Sequence, residues 1–135
     1  MFPHSGKNSG QAGLELIVTV MFLLLIFVIL VAYAVEKNRE ANEIKMFLDA
    51  MRIANSAADN VNMIAQQGDG YYKYFTLPES LFGGEEYNIT TYENVVEISW
   101  GSYRWATQVV TANITGNFSK GTNKVTNMGG VIYIG

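Results

Sequence analysis

Three Asn-x-Ser/Thr tripeptides carry the most explicit chemistry in this sequence: Asn88-Ile89-Thr90, Asn113-Ile114-Thr115 and Asn117-Phe118-Ser119. In each, the asparagine amide can accept an N-linked sugar on an extracytoplasmic surface. Such tripeptides also arise by chance, so each alone is equally an uncommitted polar segment. Their weight comes from position, because all three fall in the C-terminal half. Other reactive groups are scarce. The absence of cysteine removes disulfides, thiolate metal sites and thiol nucleophiles together. The only histidine is His4, which leaves no imidazole pair for acid–base work or zinc. Asp69, between Gly68 and Gly70, lacks the acid spacing of a calcium loop. Glu85-Glu86 reads as a charged strand start. No nucleophile elbow, zinc-helix motif or phosphate-binding glycine loop is present. The expectation is a protein that is not an enzyme, with no cofactor and no metal.

Charge excludes a further class. Nine Lys and Arg against twelve Asp and Glu give a net charge of −3, so there is no basic surplus to neutralise phosphates. Nucleic acid is not an expected partner.

The elements that must position the sequons begin with an apolar run. From Leu16 to Val35 the chain reads LIVTVMFLLLIFVILVAYAV without one formal charge. About 20 such residues cross a hydrocarbon core of ~30 Å as a helix. A core helix of a small soluble domain would need a polar face, and this run has none. A plain single-pass anchor and a cleaved secretory signal peptide both fit a run of this kind. Ala32-Tyr33-Ala34 is an A-x-A-like cleavage site, which favours the signal peptide. The run is nevertheless longer than the usual hydrophobic region, and Glu15 stands directly before it. Lys7 on one side and Lys37, Arg39 and Lys45 on the other leave orientation open.

Beyond Val35 neither Pro nor Gly occurs until Gly68. Apolar residues at Ile44, Phe47, Met51, Ala54, Ala58, Val61 and Ala65 alternate steps of three and four, the seam of an amphipathic helix. The spacing predicts one helix from about Leu14 to Gln67, roughly 80 Å long. From Tyr71 onward the period becomes two, with strands at 71–77, 86–91, 95–100, 103–110, near Val125 and at 131–134. Trp100 and Trp105 share the inward parity of their aliphatic neighbours, so the head's aromatics read as core rather than as a platform for sugars. The predicted fold class is α+β: a long N-terminal helix packed against a C-terminal antiparallel sheet or sandwich.

The junction Gly10-Gln11-Ala12-Gly13-Leu14-Glu15 adds a family resemblance. A short polar leader containing Lys7 ends in Gly10, and an apolar helix follows with one acid five residues into it. This resembles the precursor of an archaeal type IV pilin with a Q-x-S-x-E leader, with Gly13 standing where the family has Ser. The resemblance implies that a membrane prepilin peptidase cuts between Gly10 and Gln11. Residues 1–10 would then be a cleaved leader, 11–35 a transmembrane and filament-core helix, 36–67 its amphipathic outer half, and 71–135 an extracellular head. It further implies a helical homopolymer, raised from the membrane by an assembly ATPase and membrane platform, that serves surface attachment. Glu15, costly in lipid unless paired, would meet the new α-amine of Gln11 in its own or a neighbouring subunit. Asn88, Asn113 and Asn117 would lie outside the cell. The alternative is a membrane-anchored extracellular binding module that never polymerises.

Overall fold

The computed structural model describes residues 5–135; residues 1–4, His4 among them, and the side chains of Ser5 and Lys7 lie outside the described residues. The chain divides into two compact units, one reaching to Ala41 and the other spanning Asn42–Gly135. A single helix, α1 (Ser5–Gln67), enters both.

In the first unit α1 begins at Ser5 rather than near Leu14, so Gly10 and Gln11 are helical. Nucleating a helix is the unfavourable step, while each added residue gains a hydrogen bond. A long apolar helix therefore carries a short polar lead of poor helix formers. At the other end the expected stop holds. Gly68 follows Gln67 with φ 95°, the left-handed conformation that closes a helix.

The second unit builds seven strands in two sheets. They are β1 (Tyr72–Leu77), β2 (Asn88–Tyr92), β3 (Val95–Trp100), β4 (Tyr103–Gln108), β5 (Ile114–Thr115), β6 (Gly121–Met128) and β7 (Val131–Ile134). The larger sheet runs β1-β6-β7-β5 and the smaller β2-β3-β4. All pairs are antiparallel except β5 with β7, so the larger sheet is mixed where an antiparallel one was expected. The segment near Val125, weak by pattern, is the longest strand at eight residues. Its alternating residues Asn123, Val125 and Asn127 are buried, and two of the three are polar, which hid the period.

One core joins helix and sheets. Ala50, Ile53, Ala54, Ala57, Ala58, Val61 and Ile64 of α1 are buried with Val96, Ile98 and Trp100 of β3, and with Val125, Ile132 and Ile134 of the larger sheet. The buried stripe is thus turned from the predicted seam. Ile44 is 60% exposed, and Met51 and Ala65 are half-buried. A sheet covers a broad helix face, so two adjacent ridges are buried and the alanines let backbones approach. The single row of larger residues marked only one flank of that face.

Polar groups are used structurally around this core. Asn127, 2% exposed, donates to the Ile64 carbonyl at 3.2 Å and accepts from Gly130 N at 2.9 Å. Asp49 accepts from Phe82 N at 3.0 Å, and Asn62 accepts from Val110 N at 2.8 Å. Tyr87 donates its hydroxyl to the Pro78 carbonyl, and burial with Glu79 and Asp49 nearby pushes the phenol up to about 12.

Gly116 has φ 96°, and a Cβ there would run into the Ile134 carbonyl where β5 meets β7. Gly116→Ala is expected to cost about 2–4 kcal/mol, combining backbone strain with displacement of an inner strand. Chemical denaturation checks it. A loss under about 0.5 kcal/mol would show that the edge yields freely.

Candidate functional site

The first unit presents its apolar residues all round. From Leu14 to Val35 the large apolar side chains are 41–64% exposed. An 18-residue stretch of α1 reaches a mean hydropathy of 3.1 with none of it buried, and α1 is long and apolar enough to cross a membrane. A surface of this size and character is compatible with membrane insertion. The helix is suited to lipid because its backbone groups bond internally. The Thr19 hydroxyl is also accommodated, since its Oγ1 donates to the Glu15 carbonyl at 2.8 Å. At the C-terminal end of the segment, Lys37 Nζ lies 5.6 Å from the centre of the Tyr33 ring and 2.8 Å from Glu40. Arg39 pairs with Glu36 at 3.7 Å. An aromatic followed by charges in this order is the usual border of a membrane span.

The junction residues sit on the same helix. Gln11, Glu15 and Thr19 are spaced by four and form one polar ridge on the otherwise apolar helix. All three are exposed, and among the described residues no cation lies within ion-pair distance of Glu15. Gln11 is here an internal residue, so the α-amine proposed as partner exists only after cleavage. Gly10 and Gly13 both lie in the helix with nothing within 4 Å of where a Cβ would stand. Each costs a helix about 1 kcal/mol relative to alanine, and neither is required by packing or by φ.

Comparison with family models, characterised proteins and solved structures finds no match.

In the second unit the three sequons separate. Asn88 points outward from β2, and Asn113 is exposed just before β5. Asn117 is exposed too, but its Oδ1 accepts from Thr91 N at 2.9 Å and from Thr91 Oγ1 at 2.8 Å. The acids considered for metal are engaged elsewhere: Asp69 accepts from Gly129 N at 2.6 Å, and Glu86 pairs with Lys120. Among the described residues no group of three His, Cys, Asp or Glu could hold a metal ion.

One surface feature escaped the sequence reading. Trp100 is buried and Trp105 half-buried, but Tyr72 and Tyr74 are nearly 60% exposed on the outside of the larger sheet. Lys124 Nζ lies 4.7 and 5.7 Å from their ring centres. The signal was available, because Phe75 and Leu77 set the inward parity of β1 and put both tyrosines on the other face.

Proposed function

We propose that this chain is a structural subunit of a type IV pilus-like surface filament, held in the membrane as a precursor and assembled after its leader is removed. One observation carries the reading. An apolar helix segment with no buried face is preceded on the same helix by Gly10, where the packing of the chain requires no glycine, and by a lone acid in register with Gln11. An anchor requires the apolar segment alone. A processed, polymerising subunit gives each of the other residues a task. Gly10 supplies the small residue before the cut, Gln11 the new α-amine, and Glu15 its counter-charge.

In this mechanism the apolar helices exchange lipid for one another, so close packing rather than transfer from water drives association. Glu15, unfavourable in an apolar bundle by a few kcal/mol when unpaired, selects the register in which an α-amine of Gln11 reaches it. Repetition of one head-to-tail contact that does not close generates an open helical polymer. The prepilin peptidase, an assembly ATPase and its membrane platform are the partners this process requires, and surface attachment is its use. The signal-peptide reading is less well supported, since the apolar run is longer than the usual hydrophobic region of such a peptide and Glu15 stands directly before it.

The N-terminal residue of protein recovered from cells tests the proposal. A mature chain beginning at Gln11 is expected, in material that sediments as filaments after shearing. A start at Val35 would establish the signal peptide, and a start at Met1 with detergent-soluble monomers the non-polymerising anchored module.

A further inference from the structure

The three sequons are equivalent in sequence but not in the fold. An enzyme that joins a sugar to the asparagine while reading the hydroxyl two residues on must take the tripeptide into its groove. That requires a segment held only lightly by the rest of the fold, with both polar side chains unspent.

Asn117-Phe118-Ser119 fails on both counts. The Asn117 carboxamide oxygen holds Thr91 through two bonds, at 2.9 and 2.8 Å. Phe118 is 5% exposed and meets Phe75 edge-on at 5.3 Å, so the middle of the tripeptide is anchored in the core. The Ser119 hydroxyl lies 3.4 Å from Asn123 Oδ1, which also takes the Ser119 N–H at 2.8 Å. Asn88-Ile89-Thr90 has free side chains, but its backbone is laid along β2. Asn88, Ile89 and Thr90 pair in register with Ser99, Ile98 and Glu97, and Ile89 is 7% exposed. Lifting it out would unzip a five-residue ladder.

Asn113 stands differently. The Ile114 N–H donates to the Ala112 carbonyl at 3.0 Å, which makes Asn113 the central residue of a three-residue turn. Among the described residues only Glu93 is a non-glycine with positive φ, so this is the relaxed inverse form of that turn. The turn is steadied by the Asn113 N–H donating to Thr111 Oγ1 at 3.1 Å. Asn113 and Thr115 are both exposed. Ile114 and Thr115 are themselves the two-residue β5 at the edge of its sheet, and with the Asn113 carbonyl taking Ile132 N at 2.8 Å this short pairing with β7 is the ladder that holds the tripeptide.

We propose that Asn113 is the position of the head that carries an N-linked sugar, and that Asn88 and Asn117 are left bare. In the transfer, Asn113 Nδ2 bonds to the anomeric carbon of a sugar carried on a lipid-linked phosphate donor. The bond from that carbon to the carrier phosphate breaks, the phosphate keeps the electron pair, and the amide gives up one proton. The inference rests on the filament reading only in needing the head outside the membrane.

Glycopeptide mass spectrometry and N-terminal sequencing of the same sample, taken from the cells that make the protein, test both separately. A glycan on the peptide containing Asn113, with unmodified Asn88 and Asn117, is expected. Asn113→Gln should lower the intact mass by the whole glycan, while Asn88→Gln and Asn117→Gln should keep it. A glycan on Asn88 or Asn117, or none on Asn113, overturns the assignment whatever the N-terminus. A chain beginning at Met1 or Val35 but modified at Asn113 would support the assignment and overturn the filament proposal.

Discussion

Deleting residues 1–35 is expected to abolish membrane association and filament formation together and to leave a soluble monomer. The deleted residues hold the segment from Leu14 to Val35, and none of the buried core. Apolar residues at the centre of a span contribute roughly 0.3–0.6 kcal/mol each to insertion, so about twenty of them change partition by several orders of magnitude. The fragment keeps every core residue from Ala50 to Ile134. It also keeps the Asn127 bonds to Ile64 and Gly130 that tie the end of α1 to the β6–β7 hairpin. It should therefore unfold in one cooperative transition and sediment as a monomer, while the mature full-length protein sediments as filaments that resist mild detergent. Filaments formed by the fragment alone would place assembly in the heads and sink the assignment to the apolar helix.

Substitutions at the junction should act nearly as all-or-none. Gly10→Val is expected to leave only precursor, because the resemblance implies a small residue before the cut. The site makes the experiment clean. A side chain at Gly10 meets nothing within 4 Å, and the change modestly favours the helix, so lost processing cannot be ascribed to misfolding. Glu15→Leu should insert normally yet reduce filament number at least tenfold. Glu15→Gln, which keeps size and hydrogen bonding without the charge, should fail almost as badly. If filaments of Glu15→Gln match the unsubstituted protein in number and length, the carboxylate is not the register key. Processed Gly10→Val would instead break the resemblance at its most specific point.

Much of this architecture was legible before any coordinates. The apolar segment, the stop at Gly68 and strand β3 follow from unmixed local patterns, one period and one breaker at a time. The failures share a cause, which is that tertiary partners decide them. The stripe on α1 was misdrawn because alanines facing two sheets count for more than their size suggests. β6 was underrated because Asn123 and Asn127, polar residues at inward positions, are satisfied by carbonyls distant in sequence or beyond a turn. β5 is two residues long and exists only because β7 arrives to pair with it. At the candidate site, the residue types of the sequons were visible, but the bonds of Asn117 to Thr91, twenty-six positions away, were not.

The order β1-β6-β7-β5 has a consequence for how the head comes into being. Its two inner strands come after both outer strands in the chain. During synthesis, β1 and β5 emerge with no neighbour to hold them, and the larger sheet stays open until Ile134 has cleared the ribosome or the export channel. Pairings of this separation form late and expose apolar strand faces meanwhile. Loss of the residues beyond Gly130 would accordingly remove an inner strand rather than trim a border, cutting β5 adrift as well. Quality control by proteolysis could thus read completeness of the whole head from its last few residues.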